Sequence, residues 1–249
     1  MKSRIVLLGT GTCRLESDRA TSAVLLEFPD LRLVYDFGRG IATRLGLHDL
    51  RQDDIRHVVL SHFHPDHLSD LIPYLQAGSW SPDDPRSEDL HIWGPVGLEA
   101  QMMRLLGLFG PDVLVRRENF VVHLHEVRGQ TLQIENRVLD WVALPHAENH
   151  GLRFSVGDRT YALTGDSPLD SKAVELLHEV DLGIFDSGHL SDDEIVELAT
   201  RSEARRLVAS HLYREIDAEA LQSRARERGW RGELLVGRDG MQFPMPTEG

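Results

Sequence analysis

Between Leu60 and His67 the chain reads Leu-Ser-His-Phe-His-Pro-Asp-His, which puts three imidazoles and one carboxylate into six residues directly after the apolar run Val58 to Leu60. Imidazole nitrogen and carboxylate oxygen together suit a metal such as zinc, whereas calcium and magnesium prefer oxygen alone. On an extended or tightly turning segment His62 and His64 point to one side and can hold one ion. Asp66 and His67 open a helix and face a second position. An isolated histidine is usually a surface or satisfied core residue, but four ligand-type side chains at the spacing H-x-H-x-D-H weaken that account.

Three further ligand-type residues stand at the ends of apolar runs: His146 after Trp141-Val142-Ala143-Leu144, Asp166 after Tyr161-Ala162-Leu163, and His211 after Leu207-Val208-Ala209. Alone, Asp166 within Thr-Gly-Asp-Ser reads as a turn residue and His211 as a buried strand-end histidine. Joined to the upstream cluster, they read as ligands that only a folded sandwich can gather. Hydrophobic periodicity supplies the elements to gather them. Strands are expected near 4–8, 22–28, 31–36, 57–60, 120–127, 131–135, 138–144, 152–156, 160–164, 182–185 and 207–209. Helices are expected near 66–77, 96–108, 171–178, 192–200 and 218–227, with Ser191 and Glu194 forming a capping box before one of them. The segment Ser81 to Arg86 reads as an exposed loop, and no solenoid-period repeat or low-complexity tract interrupts the chain. The order fits one α/β domain over 1–249, with two mixed sheets and helices outside.

Several stretches carry a further likeness: Leu8-Gly9-Thr10-Gly11-Thr12, Tyr35-Asp36-Phe37-Gly38-Arg39-Gly40, the histidine cluster, the Gly94-Pro95 turn within His91 to Leu98, Pro145-His146, Thr164-Gly165-Asp166-Ser167, Gly188-His189-Leu190-Ser191 and Ser210-His211. In these the chain resembles the metallo-β-lactamase-fold hydrolases, more narrowly the branch of ribonuclease Z and related phosphodiesterases. The resemblance implies an αββα sandwich holding two zinc ions, with manganese or iron as alternatives. It implies that His62, His64 and His146 hold the first metal, that Asp66, His67 and His211 hold the second, and that Asp166 bridges them. It also implies that a metal-bridging hydroxide attacks phosphorus, that Asp66 positions it, and that His189 protonates the departing oxygen. Asp186 is a candidate to orient His189.

The substrate expected from this branch is a small phosphodiester or nucleotide-type molecule. The tRNA-processing members of that branch carry an inserted arm before the histidine matching His146, whereas here Phe109-Gly110-Pro111 is expected to lead almost directly into short strands. A formal net charge of −13 also works against long RNA or tRNA, although Arg104, Arg116, Arg117, Arg153 and Arg159 can still line one edge. A carboxylic ester, lactone or thioester remains open to the same chemistry, as does a catalytically silent metal-stabilised binding or carrier protein. β-Lactam cleavage is disfavoured by Asp166 and the lack of a second cysteine, and a redox diiron centre by histidine at position 64.

With 249 residues, 41% hydrophobic content and no apolar run long enough for a bilayer, the chain has core enough for one domain and no membrane span is expected. A single cysteine and no visible signal peptide favour the reducing cytoplasm, with Cys13 expected as a partly buried thiol. His48, His57, His91, His123, His125 and His178 are expected to be mostly solvated, and His150 to border the site. A homodimer is implied by the resemblance, with Leu71, Leu75, Trp80 and Phe109 as contact or core residues.

Overall fold

The computed structural model describes residues 3–116 and 118–246. Its first sheet is built from β1 (Arg4–Gly9), β2 (Ala23–Glu27), β3 (Arg32–Tyr35), β4 (His57–Val59), β5 (Leu90–Gly94) and β6 (Val122–Glu126). The second contains β7 (Thr131–Ile134), β8 (Arg137–Ala143), β9 (His150–Val156), β10 (Arg159–Leu163), β11 (Leu182–Asp186), β12 (Arg206–Ser210) and β13 (Glu233–Val236). A last strand, β14 (Gln242–Pro244), returns to pair with β1. The spatial orders are β14-β1-β2-β3-β4-β5-β6 and β13-β12-β11-β10-β9-β8-β7.

Both sheets are mixed in the same way. Antiparallel pairing runs through β1-β2-β3 and through β7-β8-β9-β10, and parallel pairing through β3-β4-β5-β6 and β10-β11-β12-β13. Parallel strands are covered on both faces and so read as nearly unbroken apolar runs. That is why Leu182–Asp186 is buried at every position, while β7 at the edge alternates exposed and buried residues.

The helices are α1 (Ile41–Leu47), α2 (Pro65–Leu68), α3 (Leu71–Trp80), α4 (Leu98–Phe109), α5 (Pro111–Leu114), α6 (Ser171–Leu176), α7 (Asp192–Ser202) and α8 (Ala218–Glu227). Leu26, Leu33, Trp141, Leu152 and Leu163 pack between the two sheets. Val58, Leu60 and Ile92 face outward under Leu71, Leu75 and Met102 of the first helical layer, and Ala162, Leu207 and Ala209 meet Leu176, Ile195 and Leu221 of the second. The result is the expected αββα layering.

Several expectations need correction. The helix expected over 66–77 is two helices, α2 and α3, separated at Ser69 and Asp70. The passage after Phe109 contains α5 before the strands resume. The loop at Ser81 to Arg86 ends on a buried residue, since Arg86 is 1% exposed and donates hydrogen bonds to the carbonyls of Gln52 and Ile55 and to the Tyr74 hydroxyl. Leu71 and Leu75 are core, whereas Trp80 and Phe109 are about half exposed. Cys13 is exposed. Arg117 lies outside the described residues. Arg116 pairs with Glu118 and Arg159 with Asp181, while Arg153 donates to the Leu176 and His178 carbonyls, so these three do not converge on a common anion.

His57 is likewise buried, not solvated, at 4% exposure. Its Nδ1 accepts from the Trp93 indole at 3.4 Å, and its Nε2 stands 3.5 Å from Glu135. Burial, with His91 and Arg56 adding to it, lowers its pKa from 6.5 to about 4. The unfolded chain therefore binds this proton more tightly than the folded one. Stability contributed by neutral His57 is complete above about 6.5 and is lost as pH falls toward 4, by at most roughly 3 kcal/mol. Urea midpoints measured at pH 7.5 and 5 should differ less in His57→Gln than in the wild type; equal differences would remove His57 from the acid response.

Candidate metal centre

The seven expected ligands and His189 come together at the carboxyl ends of β4, β8, β10 and β12, with His189 in the turn after β11. This is where parallel strands leave open a crevice that loops can furnish. One cluster combines His62, His64, His146 and Asp166, and a second combines Asp66, His67 and His211. Asp166 stands between them with divergent oxygens. Its Oδ2 is 3.8 Å from His62 Nε2 and 3.9 Å from His146 Nε2. Its Oδ1 is 3.1 Å from His67 Nε2 and 3.4 Å from His211 Nε2.

Local sequence explains how these rings are aimed. Pro65 fixes the first turn of α2, which places Asp66 and His67 on a helix start directly after His64. Asp36, at the end of β3, accepts from the Ser61 amide and hydroxyl and from His67 Nδ1 at 2.8 Å. The Ser61 hydroxyl gives its one proton to Asp36, so it accepts from His62 Nδ1 at 2.9 Å. Both Nδ1 atoms therefore carry protons, and both Nε2 atoms face the centre. Gly38 lets this segment close in, because a Cβ there would lie 1.7 Å from the Asp66 carbonyl oxygen.

On the other sheet, His146 lies in a tight turn with Ala147 and Glu148 at φ of 40° and 59°, in the left-handed region. The Asn149 side chain anchors that turn by donating to the Thr164 carbonyl. His211 itself has a φ of 53°. Such backbone is costly for residues with a Cβ and persists where surrounding structure holds it.

His189 approaches from the side. Its Nδ1 donates to Asp186 Oδ2 at 2.6 Å, and its ring lies 4.6 Å from that of His146. The same Asp186 stands 3.2 Å from His211 Nδ1 and accepts from the Ser167 and Gly188 amides. The expected capping box is present, with Ser191 and Glu194 exchanging bonds at the start of α7, and it leaves the imidazole free. His62, His67, Asp166 and His211 are buried, whereas His64 is exposed and His146 and His189 half-buried. The crevice is thus closed below and open at one mouth. His150, expected to border the site, stacks its ring on Trp141 at 4.6 Å.

Charge and hydrogen bonding together suit a cation. His62 Nε2, His67 Nε2, His146 Nε2 and Asp166 Oδ1 are buried without a hydrogen-bond partner, a costly condition that a bound ion would relieve. Burial, then the neighbouring His67 charge, lowers His62 to about 3. Burial alone would also lower His67 and His211, but flanking carboxylates prevail: Asp36 and Asp166 raise His67, and Asp186 and Asp66 push His211 up to about 9. The carboxylates hold protons on imidazoles where divalent charge would displace them.

The family described as Beta-lactamase superfamily domain matches residues 34–216, which include every residue of both clusters. The chain belongs to that superfamily. Ribonuclease Z of Pyrococcus horikoshii is a relative at 28% identity over 130 residues, covering 51% of this chain and 39% of that protein. The chain therefore spans only about two fifths of that relative's length. The metallo-β-lactamase fold protein YhfI of Bacillus subtilis aligns over 98% of this chain and 100% of its own, at TM-score 0.79 and 20% identity. A diphosphatase of the PhnP family aligns over 98% of each chain, at TM-score 0.70 and 17% identity. These structures share the superfamily's two mixed sheets flanked by helices.

Asp36 lies in one of the stretches that carry the resemblance, but nothing in the sequence marks it as a support of the centre. Only its place at the end of β3, beside β4, turns one carboxylate into the support of two imidazoles. No helix among the described residues is long and apolar enough to cross a membrane.

Proposed function

We propose that the chain is a hydrolase with two divalent cations, most simply zinc with manganese or iron as alternatives, acting on a small phosphodiester or nucleotide-type substrate. The observation that carries this reading is the pair of diverging Asp166 oxygens, each facing two imidazole nitrogens. His62, His64 and His146 would hold one ion, Asp66, His67 and His211 the other, with Asp166 shared. Bound there, the ions would supply Lewis acidity at phosphorus and acidify water toward neutrality.

The remaining work belongs to side chains. Asp66 Oδ2 lies 3.5 Å from His211 Nε2 and 3.9 Å from His67 Nε2, on the rim of the second cluster, where it can hold the attacking water by hydrogen bonding. The hydrogen bond that His189 Nδ1 donates to Asp186 raises the His189 pKa, which favours an imidazolium able to give its Nε2 proton to the departing oxygen. Asp186 keeps the Nδ1 proton and compensates the charge.

Two observations favour a small substrate over long RNA. Residues 118–146 are taken up by β6, β7, β8 and their turns, leaving no long arm beside the crevice. The formal charge of −13 opposes a polyanion. The ribonuclease Z relative and the PhnP-family neighbour support phosphoester chemistry over carbon esters.

The experiment is turnover of bis-p-nitrophenyl phosphate, a lactone and a thioester by the metal-loaded protein, with metal content measured in parallel. Hydrolysis of the diester with about two equivalents of metal is expected; lactone or thioester turnover without diester cleavage would overturn the substrate class. Asp36→Asn should weaken metal retention by about 10–100-fold in a chelator competition, because it loosens two imidazoles at once. Unchanged retention would deny Asp36 its supporting role.

A further inference from the structure

Away from the crevice, four histidines and a tryptophan share one face of the first sheet. Register places His57, His91 and His123 in one row across β4, β5 and β6, and Val59, Trp93 and His125 in a second row on the same side. That side is the one on which Val59 and Trp93 meet the core between the sheets. Cover thins toward β6, which is the edge strand and is half-buried at all five positions.

His91 Nδ1 and His125 Nε2 lie 3.0 Å apart and share one proton, since one of the two nitrogens must accept. Their rings make no other hydrogen bond among the described residues. The His123 ring stands 4.7 Å from that of His91, centroid to centroid. Its Nε2 donates to Asp89 at 2.8 Å, and the Val121 amide holds the same carboxylate in place. A neutral His123 therefore carries its lone pair on Nδ1, oriented from behind by a fixed acid. His57 is spent otherwise, because its Nδ1 accepts from the Trp93 indole, which also stacks on His125 at 3.9 Å.

We propose that His91, His123 and His125 form a separate site for a borderline divalent cation, zinc or copper(II), on the flank of the first sheet. Imidazole suits both ions. Two neighbouring nitrogens bound to one zinc ion at about 2.0–2.1 Å stand roughly 2.9–3.4 Å from each other. The 3.0 Å gap between His91 and His125 falls in that range, so a turn of both rings lets an ion replace the shared proton. That proton moves to the far nitrogen of its own ring. His123 supplies the third nitrogen, with Asp89 behind it as Asp36 is behind His67 in the crevice. The site shares no residue with the crevice and uses nitrogen alone, so it stands whether or not the crevice hydrolyses anything.

Equilibrium dialysis against zinc buffered at micromolar free concentration tests it; gel filtration would strip an ion held at a half-exposed face. The wild type is expected to hold one more equivalent than the double variant His91→Asn, His125→Asn. The same difference should appear on an Asp166→Ala background, which makes the result independent of the crevice. His123→Asn and Asp89→Asn keep the test independent of folding, since these side chains are 41% and 46% exposed. Each should weaken zinc at this site by about tenfold or more, the usual effect of losing a ligand or the acid that orients it. Equal zinc uptake by the wild type and the double variant, or unchanged affinity in both His123→Asn and Asp89→Asn, would overturn the site.

Discussion

Asp166→Ala is expected to lose paired metal binding and essentially all turnover. Among the described residues the carboxylate is the one group facing both histidine sets, at 3.1 to 3.9 Å from four ring nitrogens. Without it His62, His67, His146 and His211 would present imidazoles to two cations with little charge to offset their mutual repulsion. The loss in turnover should exceed the roughly 10²–10³ that follows removal of one transition-state donor, because ligation and positioning fail together. Metal analysis after gel filtration should fall from about two equivalents to one or fewer. Retention of both ions with full activity would refute the shared-carboxylate arrangement, and with it the division of ligands into two sets.

His189→Ala should give the opposite pattern: metal content stays, and catalysis drops by about 10²–10⁴, the usual contribution of a positioned proton donor. The size of the drop should depend on the leaving group. A nitrophenolate departs readily without a proton, so bis-p-nitrophenyl phosphate should suffer less than a diester with an alkyl leaving group. A purely structural role for the imidazole would depress both substrates equally. Asp186→Asn is expected to follow the same leaving-group trend more weakly, since it removes the negative charge behind the 2.6 Å bond that orients the ring while leaving the ring in place. An equal loss on both diesters would leave His189 without its acid role.

The centre was largely legible because its residues are chemically unlike their surroundings. Three histidines and an aspartate in six positions stand out in an apolar strand-to-helix passage, and the distant partners each close an apolar run. Elements with little pattern were not legible. α1 buries only Ile41 and Leu45, too few to define a helical stripe, and β14 spans three residues of which only Phe243 is buried. β13 also went unseen, because only Leu234 among its four residues is fully buried. Arg86 and His57 show a second kind of limit. Their polarity points to solvent, and what overrides it is a set of partners 12 to 36 positions away that no local window contains. Asp36 belongs with them, since His67 lies 31 residues on.

Each cluster draws side chains from both sheets: His62, His64, Asp66 and His67 follow β4, while His146, Asp166 and His211 follow β8, β10 and β12. An ion in either position would therefore be a rivet through the seam as well as a reagent. Stripping the protein with a chelator would loosen the join between its two layers, so starvation for metal would leave a slack molecule, more open to proteases, and not merely an idle one.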